Sequence, residues 1–208
     1  MKKVNLFIKR FVDIVASSIG LILLSPLFAI VAVIIKVTSP GPVFFKQERL
    51  GKDGKPFSIY KFRTMVVNAE KIGDGLRVCE GSDPRITKIG KILRATSLDE
   101  LPQLINTVNG TMSLVGPRPP VTYHPYEGYE NYPDWAKKRF EMRPGITGLA
   151  QVKVRNSVSW DERIKVDNEY IDNFNVWFDF KILFSTVAKV LKKEDIYGKA
   201  SDRTDSAE

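Results

Sequence analysis

The sequence has one cysteine and one histidine, and both scarcities exclude classes of chemistry. Because Cys79 has no second cysteine to pair with, the chain forms no internal disulfide, and a reducing compartment is expected. His124 alone cannot build a metal site from several histidines, and a serine–histidine–aspartate triad would depend on it entirely. Internal repeats and low-complexity tracts are also absent. The 208 residues suffice for one domain with a sizeable core, although two small units are also compatible.

The chain is basic, with a formal net charge of +8 and an isoelectric point of about 9.5. A basic balance suits an anionic partner, which can be nucleic acid, an anionic membrane surface or a phosphorylated substrate.

Residues 14–35 form an uncharged run that is long enough for a membrane helix, which needs about 20 apolar residues. Ser25 and Pro26 interrupt this run. Proline removes one backbone hydrogen bond, so a kink is expected, and the Ser25 hydroxyl could satisfy the freed carbonyl. Lysines and arginines flank both sides, so the positive-inside rule fixes no orientation. Two structures remain open: a kinked span, and a segment that enters the membrane, bends and returns to the same face.

The segment after this run alternates like two strands, over residues 43–50 and 56–65, around a glycine-containing turn. This pattern predicts a β-hairpin. Alternation places Lys61 and Arg63 on one face, where they could meet a single phosphate group. Solvated strand charges are the alternative. A basic amphipathic helix is predicted over residues 85–94.

Two adjacent carboxylates, Asp99 and Glu100, stand where a second apolar helical pattern begins. Pro102 is tolerated only in a first helical turn, so both acids lie at or next to the helix start. Unpaired N–H groups at that end keep carboxylates ionised and attract phosphate. Ser97 and Glu100 also match a capping box, and for this stretch alone the capping role is the favoured interpretation.

Two arginines, Arg118 and Arg143, lie in turns braced by proline and glycine. An arginine held in this way loses little entropy when it binds an anion. Together with Lys61, they are the candidates for contacts to substrate phosphate. A structural hydrogen bond from a loop arginine is the alternative for each of the two.

The C-terminal third contains a second capping-box pattern, in which Ser159 and Glu162 open a helix that runs to about Phe174. On this helix, Asp167 and Tyr170 are one turn apart. They contribute to nucleotide binding or belong to a solvated helix face, and the second interpretation is favoured.

Two further segments carry aromatic side chains. Residues 176–193 are amphipathic, which predicts a helix lying in the membrane surface, with packing on the protein core as the alternative. The tyrosine-rich residues 123–135 fit interface anchoring or an ordinary surface loop equally well.

Several motifs occur together and in order, and the set resembles the bacterial sugar transferase family, the small monotopic phosphoglycosyl transferases. The resemblance rests on the broken apolar N-terminus, Lys61-Phe62-Arg63-Thr64-Met65, Thr96-Ser97-Leu98-Asp99-Glu100-Leu101-Pro102-Gln103-Leu104, Gly116-Pro117-Arg118-Pro119 and Arg143-Pro144-Gly145-Ile146-Thr147-Gly148-Leu149-Ala150-Gln151. It covers roughly residues 9–191. The additional multi-span region of larger members is absent, so the minimal catalytic form is expected.

The resemblance implies transfer of a sugar-1-phosphate from a UDP-sugar to a polyprenyl (undecaprenyl) phosphate with release of UMP, as the first membrane step of bacterial glycan assembly. Asp99 matches the family's attacking aspartate, which carries a covalent phosphosugar, and Glu100 matches the glutamate associated with magnesium. Both carboxylates are therefore candidate Mg²⁺ ligands, since magnesium retains several waters and needs few protein ligands. Ser25 and Pro26 match the family's helix break, which favours the re-entrant structure.

We therefore expect an α+β, mostly helical protein at the cytoplasmic face of the bacterial inner membrane. Residues 1–38 form the re-entrant membrane helix, residues 39–198 the catalytic domain with a small β-hairpin and amphipathic interface helices, and residues 199–208 a disordered tail. The expected partners are a UDP-sugar, a polyprenyl phosphate and the lipid bilayer, without nucleic acid. A homodimer is left open.

The rival interpretation is a membrane-tethered basic protein that binds anionic lipid or nucleic acid without catalysis. It explains the charge but gives Asp99 and Glu100 no task, so it predicts that Asp99→Asn leaves function intact. Among enzymes, a direct glycosyltransferase would release UDP rather than UMP.

Overall fold

The computed structural model describes residues 2–72, 83–154 and 158–192. Its helices are α1 (Lys2–Thr38), α2 (Lys88–Ala95), α3 (Gln103–Asn109), α4 (Asp134–Lys137), α5 (Leu149–Lys153), α6 (Trp160–Asp172) and α7 (Val176–Leu191). Its strands are β1 (Phe44–Leu50), β2 (Pro56–Phe62), β3 (Ser113–Val115) and β4 (Gly145–Thr147). The expected α+β, mostly helical class is confirmed. The tail predicted for residues 199–208 lies outside the described residues.

The strands form two small sheets. β1 and β2 are antiparallel, with Phe44 opposite Phe62 in the register, which is the hairpin that the alternation predicts. β3 and β4 are parallel, and Ser113 faces Gly145 across this pair. Three-residue strands are too short to show alternation, so the sequence gives no signal for the second sheet.

Helix α1 extends over 37 residues and contains Pro26. Because proline has no N–H, the carbonyl of Ile22 loses its usual helical donor. The Ser25 hydroxyl donates to this carbonyl at 2.8 Å, as the sequence led us to expect. Within the described ranges, α1 is the one helix long and apolar enough to cross a membrane, by length and composition.

The first half of α1 has its polar face turned inward. Lys9, Asp13 and Ser17 recur at helical spacing and are buried, whereas Phe7 and Phe11 are 75% and 62% exposed. A helix at a protein–water surface shows the opposite arrangement. When a helix is surrounded by lipid, its apolar side chains point outward and its polar side chains face the protein. The long apolar helix is therefore that of a membrane-associated protein.

Both halves of α1 contact the rest of the chain. In the first half, the Asp13 carboxylate accepts hydrogen bonds from the Ser113 hydroxyl at 2.7 Å and the Leu114 amide at 3.0 Å. In the second half, Val31 and Ile35 are buried in a cluster with side chains of β2 and α2. The helix is thus attached before and after Pro26.

Two other apolar clusters complete the core, one around α6 and α7 and one under the tyrosine-rich segment. Tyr132 is only 2% exposed, and Tyr126 and Tyr129 pack against the same cluster. Tyr132 is therefore a core residue, which neither expectation for this segment included, whereas Tyr123 and Trp135 are 52% and 41% exposed, and interface anchoring stays a prediction. Aromatic packing explains the burial of Tyr132, because the rings of Tyr132 and Phe140 meet edge to face at 5.0 Å.

Helix α7 packs on the protein core, which was the alternative for its sequence, and its position in the membrane surface stays a prediction. It buries Ile182 in the core, and it exposes Trp177 and Phe184 by 68% and 72%. Its inner face therefore packs on protein, while its outer face presents large apolar side chains.

Candidate active site

The acidic pair lies in a short 3₁₀ turn, Leu98–Glu100, directly before α3. Pro102 is the N-cap of α3, which confirms that both acids lie next to a helix start. Ser97 has a positive φ of 56° and makes no side-chain capping bond. The capping-box interpretation of Ser97 and Glu100 is therefore wrong.

The hairpin and α3 are joined by one buried side chain, that of Asn106. Its carbonyl oxygen accepts a hydrogen bond from the Tyr60 amide at 3.0 Å, and its amide donates to the Ser58 carbonyl at 2.7 Å. These two bonds hold α3 along β2. The neighbouring strand residue, Lys61, is thereby brought to Glu100.

Glu100 is held ionised by cations. Lys61 Nζ donates to Glu100 Oε1 at 2.5 Å, and Arg118 Nη2 lies 3.7 Å from the same oxygen. Burial alone would raise the pKa of Glu100, but Lys61, Arg118 and Arg49 outweigh it and lower this pKa to about 2. The Glu100 carboxylate is therefore charged over the whole physiological range.

Asp99 differs sharply from its neighbour. Burial raises the pKa of its carboxyl group to about 6, the nearby Glu100 adds to the increase, and Lys61 and Arg94 oppose it. Within the described part of the chain, the Asp99 carboxylate forms no salt bridge. At neutral pH it is consequently an ionised carboxylate, without a salt-bridge partner among the described residues, next to several cationic side chains.

The structure brings two of the three predicted phosphate ligands, Lys61 and Arg118, to the acidic pair. It does not bring Arg143 there, because the Arg143 Nε donates to the carbonyl of Gly110, at the opposite end of α3. Arg10 donates to carbonyls of the same helix end. Cations there satisfy the last helical carbonyls, so the described contacts of Arg143 are those of a helix cap.

Arg63 does not share a site with Lys61 either. It is buried, and its guanidinium donates to the carbonyls of Ser39 and Pro40. Because β2 ends at Phe62, the alternation that would place Arg63 beside Lys61 does not continue.

The favoured interpretation of the α6 residues Asp167 and Tyr170 also differs from the structure. Asp167 and Tyr170 are each 1% exposed, so the favoured solvated helix face is wrong. Asp167 accepts a hydrogen bond from Arg139 at 2.8 Å, and the Tyr170 hydroxyl donates to Asp179 at 2.8 Å. The charges of Arg94 and Arg49 act on Asp99 and Glu100, and neither residue is among the predicted site residues. Of the two, Arg94 carries a sequence signal, since it lies in the basic helix that precedes the acids.

The donor set at Asp99 and Glu100 fits only one kind of metal site. The described residues contain no group of three or more histidine, cysteine or acidic side chains that could hold a metal ion. A closed, all-protein site is thus not available there. Two carboxylates suffice for magnesium, which keeps several waters and shares substrate phosphate oxygens.

An exposed apolar helix beside a carboxylate and a cationic surface defines a membrane-associated protein with a site suited to phosphate chemistry. Residues 4–193 match the family model described as bacterial sugar transferase, and the chain belongs to that family. This confirms the resemblance seen in its motifs.

Three relatives illustrate the similarity. The chain is 44% identical to an Escherichia coli protein named UDP-glucose:undecaprenyl-phosphate glucose-1-phosphate transferase, over 89% of this chain and 40% of that protein. It is 41% identical to a Salmonella typhimurium protein named undecaprenyl-phosphate galactose phosphotransferase, over 94% of this chain and 43% of that protein. It is also 41% identical to a Bacillus subtilis protein named uncharacterized sugar transferase EpsL, over 92% of this chain and 91% of that protein. The chain thus spans about two fifths of the first two relatives.

Proposed function

We propose that this protein transfers a sugar-1-phosphate from a UDP-sugar to a polyprenyl phosphate, with undecaprenyl phosphate as the acceptor, and releases UMP. The names of the relatives support these substrates. The observation that carries the proposal is the difference between the two acids: Glu100 is fixed by Lys61, while Asp99 is ionised at neutral pH and forms no salt bridge with a described residue.

In the first step, an Asp99 carboxylate oxygen attacks the β-phosphorus of the donor. The bond from this phosphorus to the bridging oxygen breaks, and UMP leaves with that oxygen and its electron pair. A phosphosugar then remains on Asp99 as an acyl phosphate. Lys61 and Arg118 lie beside Glu100, where their charges offset the repulsion between the carboxylate and the diphosphate.

In the second step, a phosphate oxygen of the polyprenyl phosphate attacks the same phosphorus. The bond between phosphorus and Asp99 breaks, which restores the carboxylate and yields a polyprenyl-diphosphate sugar. This product is the starting point of a membrane-bound glycan. Because one displacement is split into two, the polyprenyl phosphate can enter the site after UMP has left.

Magnesium is part of the proposal, with Asp99 and Glu100 as its protein ligands. When bound, it supplies positive charge to the diphosphate oxygens. Lys61 already orients the Glu100 carboxylate, which leaves one Glu100 oxygen outside that ion pair.

We further propose that α1 is re-entrant. In a membrane span, residues near Lys9 and near Ile35 would lie at opposite sides of the bilayer. Lys9 instead contacts Asp179, and Ile35 packs in a cluster with Phe62 of the hairpin. A helix that returns to one face explains both contacts. The site then rests at the cytoplasmic face of the bacterial inner membrane, where a soluble UDP-sugar meets a membrane-embedded acceptor.

The test is UMP release from a panel of UDP-sugars with undecaprenyl phosphate and magnesium. Wild type is compared with Asp99→Asn and with Asp134→Asn, a matched change at a fully exposed carboxylate on α4. We expect UMP from wild type and Asp134→Asn, and none from Asp99→Asn or with a chelator. Release of UDP would indicate direct glycosyl transfer, and full turnover by Asp99→Asn would exclude the aspartyl intermediate. Folded protein that releases neither nucleotide would support the binding-protein alternative.

A further inference from the structure

A second cationic cluster adjoins the acidic pair. It shares Arg118 with the steps above, and its other two arginines are not used by them. It consists of Arg118, Arg139 and Arg163, which act on a single carboxylate, Asp167. Arg139 Nη2 donates to Asp167 at 2.8 Å, and these two side chains are only 1% and 2% exposed. Since Arg118 also lies near Glu100, three guanidinium groups share two carboxylates, Asp167 and Glu100, and positive charge is in excess.

The cluster also contains buried donors that have no acceptor. Arg139 Nε, Arg139 Nη1 and Arg163 Nε are inaccessible to solvent and lack a hydrogen-bond partner. Buried polar groups are nearly always paired, because an unmet donor keeps its desolvation penalty. An anion with several acceptor oxygens that reached these donors would lower the free energy of the cluster. A phosphate group is such an anion.

One residue links this cluster to the acidic pair. The backbone carbonyl of Arg118 accepts a hydrogen bond from Arg139 Nη2 at 2.7 Å, while the Arg118 side chain lies 3.7 Å from Glu100. Arg118 therefore stands between Glu100 on one side and Arg139 with Arg163 on the other. An extended ligand with two adjacent anionic groups can contact both sides.

The ring of Trp160 supports the two inner arginines. The guanidinium carbons of Arg163 and Arg139 lie 5.3 and 5.7 Å from its ring centroid. Contacts of this type restrict the guanidinium planes, so less entropy is lost when an anion binds.

We propose that Arg163 and Arg139 bind the α-phosphate of the donor, the group that leaves as UMP. This inference rests on the proposed function, which assigns the β-phosphate to Asp99 and its neighbouring cations. When the bridging bond breaks, negative charge develops on the α-phosphate. Fixed guanidinium groups at that position stabilise the leaving group in the transition state.

Arg163 is the residue to change. Removing Arg139 would leave Asp167 as an unpaired buried charge, which destabilises a fold strongly. Arg163 is partly exposed, and Arg163→Ala leaves the Arg139–Asp167 pair in place. Lys165→Ala is the matched control, since Lys165 is an exposed cation on the same helix. Arg163→Lys retains the charge but loses the planar fork.

The measurement is the affinity of the full chain, in detergent with magnesium, for UMP and for uridine, by NMR titration. We expect Arg163→Ala to weaken UMP binding about tenfold or more, as loss of a charge-assisted hydrogen bond does. Uridine affinity should stay at the wild-type value, Arg163→Lys should be intermediate, and Lys165→Ala should match wild type. UMP affinity within twofold of wild type in Arg163→Ala would overturn the inference. An equal loss for UMP and uridine would overturn it as well, because the contact would not be to phosphate.

This binding test is separate from turnover. Wild type that binds UMP through Arg163 but releases no UMP from any donor would refute the transferase and retain the phosphate site. If the protein is an active transferase and its affinity for UMP is the same in Arg163→Ala as in wild type, the phosphate site alone is refuted.

Discussion

Lys61 Nζ lies 2.5 Å from Glu100 Oε1, and this contact makes two adjacent carboxylates chemically different. The pKa of Glu100 falls to about 2, whereas burial raises the pKa of Asp99 to about 6. Neighbouring acids whose pKa values are moved apart commonly have separate roles. Here Glu100 is a permanent anion held by the hairpin, and Asp99 is the group available for attack.

Lys61→Ala should reduce turnover by about 100-fold, the usual effect of losing one donor that stabilises a transition-state charge. Two causes act together, because Glu100 loses its closest cation and Asp99 loses a charge that opposes its raised pKa. Steady-state UMP release measures this. Lys46→Ala, at an exposed position of the adjacent strand, is the control and should retain wild-type turnover. A loss smaller than threefold in Lys61→Ala would contradict the role given to the ion pair.

Magnesium affinity should depend on pH because one of the two proposed ligands, Asp99, can be protonated. With the pKa of Asp99 near 6 in the metal-free protein and that of Glu100 near 2, Asp99 is the one of the two proposed ligands that takes up a proton between pH 7 and pH 5. Metal binding requires the deprotonated carboxylate. The affinity should therefore be constant above about pH 7 and fall by about tenfold per pH unit below pH 6.

Calorimetric titration of metal-free protein with Mg²⁺ at several pH values measures this dependence. In Asp99→Asn, binding should be weaker and flat over the same range. A pH-dependent loss that persists in Asp99→Asn would assign the proton to another group.

The two capping-box patterns show what sequence can and cannot predict here. At Ser159 and Glu162 the pattern is correct, and both reciprocal hydrogen bonds form at 3.3 Å. At Ser97 and Glu100 the pattern fails, because the Glu100 carboxylate instead accepts a hydrogen bond from Lys61 of β2. That contact joins residues 39 positions apart, so local sequence does not reveal it. The hairpin, in contrast, follows from local alternation: its first strand agrees with the prediction to within one residue, and its second strand ends three residues earlier than predicted.

The two proline-braced arginines show that local sequence does not determine which residues reach the site. Arg118 and Arg143 have similar local sequences, yet Arg118 reaches Glu100 while Arg143 caps the far end of α3. Their positions depend on how β3 and β4 pair, and that parallel pairing has no local signal. Likewise, the burial of Asp167 depends on Arg139, which comes from a different element.

The buried pair between Lys9 and Asp179 should be a major attachment of α1. Lys9 Nζ lies 2.6 Å from Asp179 Oδ2 and also donates to the Val115 carbonyl at 2.8 Å. Lys9→Met should lower the free energy of unfolding by about 3–5 kcal/mol, because it leaves Asp179 as an unpaired buried charge.

Thermal unfolding in detergent, calibrated by denaturant titration, measures the loss. In the double variant Lys9→Met/Asp179→Asn, the buried charge is removed, so its loss should be smaller than the sum of the two single losses. Strict additivity would show that the two side chains do not interact energetically.

The re-entrant structure proposed for α1 predicts that both ends of the helix are accessible from one side of the membrane. Val4 and Val37 are suitable sites, since they are 61% and 78% exposed and lie before and after Pro26. In a Cys79→Ser background, single cysteines at these positions are labelled with a membrane-impermeant maleimide in sealed vesicles of known orientation. Asp134→Cys, at an exposed position on α4, marks the side of the catalytic domain. Re-entry requires that all three cysteines are labelled from the same side, whereas a span would separate Val4→Cys from the other two. The contacts of Lys9 with Asp179 and of Ile35 with Phe62 favour the first outcome, because a bilayer-spanning helix would place its two ends far apart on opposite sides of the membrane.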